Sequence, residues 1–356
     1  MTPPLSPDDR NGGLARKMLA EMNALTLARH GGMALDNAAR NRPLIGRGMS
    51  LKALRGETVG EGDSAVVIAA GPSVKRRDPI RAIKEQGYRG ALVVTESALA
   101  YCLRNGVVPD LAVSLDPHAT RVVRWFGDPS LTADKLRADD YFSRQDQDPA
   151  FADEMRANRE ILALLDRHGK DIRIALSTSA SKAVVDRVLE AGMQVYWWNP
   201  MLDDPDAPSS ITARLQRDNG LPAVNAGGNV GSAAWMMASA VLGKRHVALT
   251  GVDFSYYDGT PYLNTQYYRE AVALVGEDNL DALYVRIRNP HLDQWFFTDP
   301  AYLWYRECLM EMIADADCRT CNCTEGGIVF GDGIEFIPLA EFLARHSPRA
   351  RAHAAS

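Results

Sequence analysis

The sequence has no hydrophobic run long enough to cross a bilayer. Its longest, Ala233 to Leu242, falls far short of the roughly 20 residues a spanning helix needs. The start, Met1-Thr2-Pro3-Pro4, has no basic segment followed by an apolar one, so a signal peptide is not expected. Cysteines number five, an odd and small set that does not make a disulfide framework and suits a reducing compartment. A basic excess is also missing. Lys plus Arg total 40 against 45 Asp plus Glu, a net charge of −5, which argues against broad nucleic-acid binding. There is no GxxxxGK[ST], GxGxxG, HExxH, GxSxG or EF-hand pattern. These absences leave a cytoplasmic protein with no membrane or nucleic-acid partner.

What is present is a globular chain of 356 residues, 46% hydrophobic and 24% charged, large enough for one big domain or two smaller ones. Residues 1–12 are polar and proline-containing, and are expected to be disordered. Leu14 to His30 has helical periodicity that Gly31-Gly32 should end. Residues 1–60 thus read as a helical arm that packs without chemistry.

From Ala65 the pattern alternates between strands and helices. A run of apolar β-formers ends in Gly71-Pro72-Ser73. The basic trio Lys75, Arg76 and Arg77 follows, then a helix with Asp78 as N-cap and Pro79 as its first residue. Further strands are expected at Ala91–Thr95, Leu111–Leu115, Ile172–Leu176, Gln194–Trp198 and His246–Thr250, the last clear core strand. Charged residues 120–165 read as a helical insertion. Short turns between strands and helices imply α/β class, a doubly wound, mainly parallel sheet. Residues 61–275 would form this Rossmann-like core, and 276–356 an α+β cap with a disordered tail.

Right-handed crossovers place every strand's C-terminal end on one rim, where ligands of open α/β sheets bind. The polar, glycine-rich turns all fall there: Gly71-Pro72-Ser73, Glu96-Ser97, Asp116-Pro117-His118, the serines Ser177 and Ser179, Gly227-Gly228-Asn229, and Asp253. The Gly-Pro-Ser turn can offer N–H groups and a hydroxyl to a phosphate, or serve as an ordinary βα turn. Asp116 can ligate Mg²⁺, hold a ribose hydroxyl, act as a base or cap the next segment. Asp253 repeats that arrangement. If their strands are close, the two can share a metal. His118 is the candidate titrating near neutral pH. Tyr256, Tyr257, Tyr262, Tyr267 and Tyr268 suit stacking on a ring, or a satellite hydrophobic cluster. Glu325, followed by two glycines, can reach the rim or sit in a turn. Cys318, Cys321 and Cys323 lack zinc-site spacing.

Three runs carry a resemblance. Val66 through Ser73, Gly106 through Pro117, and Gly227 through Gly231 leading to Thr250-Gly251-Val252-Asp253 resemble the MptE-like 6-hydroxymethylpterin diphosphokinase domain, which motility-accessory (Maf) flagellin glycosyltransferases share. Asn322-Cys323-Thr324-Glu325-Gly326-Gly327 is more similar to the Maf branch. The resemblance spans roughly residues 40–340, with Ala69-Ala70 where many relatives have glycine or asparagine. It implies a Rossmann-like core with bound nucleotide. Gly71, Pro72 and Ser73 would contact its phosphate, Asp116 the reacting end or its metal, and Gly227, Gly228 and Asn229 the donor.

The expected function is a transferase moving a nonulosonic, sialic-like sugar from CMP to a protein or glycan hydroxyl, flagellin among the acceptors. One alternative is a pterin-type diphosphokinase using ATP and Mg²⁺. Another is a non-catalytic nucleotide-binding accessory protein of flagellar or surface-glycan assembly. No tightly bound cofactor is expected, the nucleotide being a co-substrate.

Overall fold

The computed structural model describes residues 13–19, 21–145 and 148–347. The stretches expected to be disordered, residues 1–12 and the tail from 348, lie outside them. Nine strands form one sheet: β1 Met49–Ser50, β2 Ser64–Ile68, β3 Ala91–Thr95, β4 Leu111–Ser114, β5 Arg173–Ser177, β6 Gln194–Pro200, β8 His246–Thr250, β12 Arg319–Asn322 and β13 Ile334–Phe336. Their order is β1-β6-β5-β4-β3-β2-β8-β12-β13, and every neighbouring pair is parallel. A short β7, Ala223–Val224, adds to β6. The remaining strands, β9 Tyr256–Tyr257, β10 Val285–Asn289 and β11 Gln294–Thr298, form a small antiparallel sheet.

The doubly wound α/β class is thus the one the chain adopts. Alternate residues of β2 show why its strands are so apolar. Val66 and Ile68 join the core on one face with Ile80, Leu99, Ile161 and Phe342, while Ala65 and Val67 join the other with Trp235, Leu303 and Leu309. A strand covered on both sides has no solvent face to mark with polar residues.

Three expectations are corrected. His246–Thr250 is not the last core strand, because β12 pairs with β8 and β13 with β12. The helix of the arm does not stop at Gly31-Gly32 but runs from Met22 to Asn41. A Cβ on Gly31 would stand 2.7 Å from Ile211 Cδ1, so close packing on the helix Ile211–Asn219 is what this glycine serves. Asp78 precedes the helix Pro79–Glu85 in a left-handed conformation without capping it through its side chain. Its carboxylate accepts from the Tyr101 hydroxyl at 2.7 Å instead.

Candidate functional site

The chain leaves β2 toward β3, β4, β5 and β6 on one side and later returns to place β8 on the other. The C-terminal ends of β2 and β8 therefore mark the point where strand order reverses. In open α/β sheets that point opens a crevice. Here it leads into a cavity of about 850 Å³.

Of the sequence candidates, Gly71, Pro72, Glu96, Ser97, Asp116, His118, Gly228, Asn229 and Asp253 line this cavity. Others are set apart. Ser177 is buried, and its hydroxyl accepts from the Ser179 N–H. Gly227 lies beneath the wall, against Met312 and Ser232. Ser73 and Glu325 line a separate small cleft with Arg77 and Cys323. Glu325 there accepts from the Leu339 N–H at 3.4 Å and lies 3.9 Å from Arg77.

The Gly-Pro-Ser turn is occupied from within. Its first N–H, on Gly71, bonds the Gly251 carbonyl at 2.9 Å. Pro72 has no N–H. The Ser73 N–H and hydroxyl both reach the Asp253 carboxylate, at 3.2 and 2.8 Å. A Cβ on Gly71 would stand 2.0 Å from that carboxylate. So the expectation that this turn offers its N–H groups to a phosphate is corrected: Asp253 fills the anion's place. Two of the basic trio point elsewhere, Arg76 donating to the Pro72 carbonyl and lying over the Tyr257 ring at 4.0 Å, and Arg77 donating to the Glu325 carbonyl at 3.1 Å. The donor set open to the cavity is the start of the helix Val230–Met236. Its N-cap Asn229 accepts from the Ser232 N–H, and the N–H groups of Val230 and Gly231 have no partner inside the helix.

Asp116 and Asp253 do not form a pair. Strands β3 and β2 separate β4 from β8, which at the usual strand spacing is about 14 Å. One metal ion cannot bridge that distance.

Asp116 instead belongs to a group of titratable side chains on the β3–β4 side. Its Oδ1 accepts from the His118 N–H at 2.8 Å. The His118 ring turns its Nδ1 toward the N–H groups of Thr120 and Arg121, at 3.3 Å each. Neutral His118 therefore carries its proton on Nε2 and presents a donor. Burial lowers its pKa, partly offset by the charge of Asp116. His30, from the arm, faces the same aspartate and is likewise lowered by burial. Its buried Nδ1 has no partner.

The walls hold further polar groups without partners: Glu96 Oε2 and the Ser179 hydroxyl, and Asp299 Oδ2 beneath Tyr302 and Tyr305. Burial pushes Glu96 up to about 8, with the charge of Asp116 adding to it, and Asp299 up to about 7. The tyrosines divide. Tyr256 and Tyr267 line the cavity, Tyr256 stacking on Tyr302 at 5.4 Å. Tyr262 stays out of the cavity lining and stacks on Tyr284 at 4.2 Å in a satellite cluster to which Tyr256 also belongs.

His30, Asp299, Tyr302 and Tyr305 were not anticipated as site residues. Asp299-Pro300 carried a signal, the N-cap and first residue of the helix Pro300–Ala314. Cys318, Cys321 and Cys323 are free thiols, and burial pushes Cys321 up to about 12. Among the described residues, one cluster has metal-ligand chemistry: Asp63, His246 and His346. It sits at the opposite rim, where Arg245 already takes the Asp63 carboxylate at 2.6 Å. No helix among the described residues is long and apolar enough to cross a membrane.

No protein-family model and no curated protein matches the sequence. A solved structure does resemble the fold, a Maf glycosyltransferase from Magnetospirillum magneticum, with a TM-score of 0.53 at 16% identity. The match covers 92% of this chain and 41% of that one, so this chain spans less than half the neighbour's length.

Proposed function

We propose that this chain transfers a nonulosonic sugar from a CMP donor to a hydroxyl of a protein or glycan. The observation that carries the reading is the open carboxylate of Asp116 between two imidazoles on a cavity large enough for a sugar nucleotide. The fold shared with a glycosyltransferase supports it.

Asp116 takes the proton from the acceptor hydroxyl as its oxygen bonds the anomeric carbon. The bond from that carbon to the phosphate oxygen breaks, and CMP leaves with the electron pair. His118 Nε2–H and the N–H groups at Val230 and Gly231 stabilise the charge on the departing phosphate. Displacement by this route inverts the anomeric centre.

The test is titration with CMP, CTP and ATP, each with Mg²⁺ and with EDTA, together with CMP release from CMP-sialic acid. CMP is expected to bind in EDTA. Asp116→Asn should keep that binding and slow CMP release by about 10²–10⁴-fold. ATP binding that requires Mg²⁺, with no response to CMP, overturns the reading in favour of a diphosphokinase.

A further inference from the structure

The proposed transfer leaves Glu96 unused. This residue opens the helix Glu96–Arg104 directly after β3. It is 4% exposed and lines the cavity, and its Oε2 has no hydrogen-bond partner. The Ser114 hydroxyl, at the end of neighbouring β4, and the Leu115 N–H favour the charged form of its carboxyl, though burial outweighs them. A buried polar atom left unpaired costs stability, so the open Oε2 of Glu96 in the cavity wall marks a place where a ligand completes the bonding.

We propose that Glu96 holds the pairing edge of the donor's nucleobase through one donated and one accepted hydrogen bond. This rests on the nucleotide-donor reading above.

Which edges fit follows from the protonation state. The titratable group facing Glu96 is Asp116, on the loop after β4. The other charged neighbours of Asp116 are His30 on the arm and His118 on its own loop. Buried and beside that negative charge, Glu96 is a carboxylic acid at neutral pH, with an O–H donor and a C=O acceptor in one plane. Such a group matches an edge that places one donor beside one acceptor. Cytosine offers this with its exocyclic amine and ring N3, and adenine with its amine and N1. Guanine and pterins place two donors side by side, which an ionised carboxylate suits and a carboxylic acid does not.

Calorimetric titration at pH 6.5 and 9.5 tests this, using CMP, AMP, GMP and ribose 5-phosphate on the wild type, Glu96→Gln and Glu96→Ala. Wild-type affinity for CMP should fall about tenfold between the two pH values, while ribose 5-phosphate changes little. Glu96→Gln keeps one donor and one acceptor, so it should hold CMP equally at both. Glu96→Ala should bring CMP down to the level of ribose 5-phosphate. The CMP and AMP arms tell which base the site takes. Unchanged CMP binding in a folded Glu96→Ala, or GMP binding tighter than CMP at pH 6.5, overturns the role of Glu96 and leaves the donor reading standing. No nucleotide binding at either pH overturns both.

Discussion

Two buried carboxyl groups stand on the same rim and behave in opposite ways. Asp253, after β8, is held by the N–H and hydroxyl of Ser73. Glu96, after β3, has an oxygen with no partner. The β2–β8 side has turned its most ligand-like loop into internal structure, and the β3–β4 side keeps its polar groups open. A glycine-rich turn at a switch point is thus no guarantee of an anion site, since the protein can supply the anion itself.

The comparison breaks most visibly at Gly71. Gly71→Ala places a Cβ 2.0 Å from Asp253 Oδ2 and 2.5 Å from the Gly251 carbonyl. It should cost about 4 kcal/mol or more, read from urea unfolding, and a loss under 1 kcal/mol would show that the turn is not locked.

The open side should respond to pH instead. Unfolded, Glu96 titrates near 4.5, and folded it titrates at about 8. Between those values the folded chain holds a proton that the unfolded chain has released. Stability from this group is therefore full below pH 4.5, lost as pH rises to about 8, and flat beyond. Glu96→Gln should remove that slope, gaining on the order of 3 kcal/mol over wild type at pH 8 and nothing at pH 4. Parallel stability curves for the two proteins from pH 4 to 9 would refute the raised carboxyl.

A double-mutant cycle sharpens the locked side. Ser73→Ala and Asp253→Ala should couple by about 1–2 kcal/mol, and strict additivity would dissolve the pair. The smallest effect belongs to Glu325, which sits outside the cavity. Glu325→Gln should change stability by under about 0.5 kcal/mol and leave CMP affinity as it was. A large drop in that affinity would bring Glu325 back to the site.

Strands β2 to β6 and β8 were legible because burial on both faces writes them as unbroken apolar runs. The polar turns at their ends were legible for the same reason, since each strand stops where its turn begins. Arg319–Asn322 and Ile334–Phe336 were not, being too short and too polar to form such a run. They are held by pairing with β8 and with each other. His30 was hidden by the helix that carries it, because a helix wrapped onto the rim has the same periodicity as one packed against the core. The separation of Asp116 from Asp253 depends on strand order, and no residue spacing encodes that order.

The arm that brings His30 is fastened in a particular way. Asn37 donates to the carbonyls of Pro117 and Ser179, and Asn41 to those of Thr178 and Ala180. These carbonyls belong to the loops after β4 and β5, which also help to wall the cavity. A ligand that bridges the arm and these loops therefore tightens the docking of the arm, and docking tightens that ligand by the same factor. Amide exchange along Met22–Asn41 would then report occupancy at a distance, slowing when the cavity is full even at residues that touch nothing inside it.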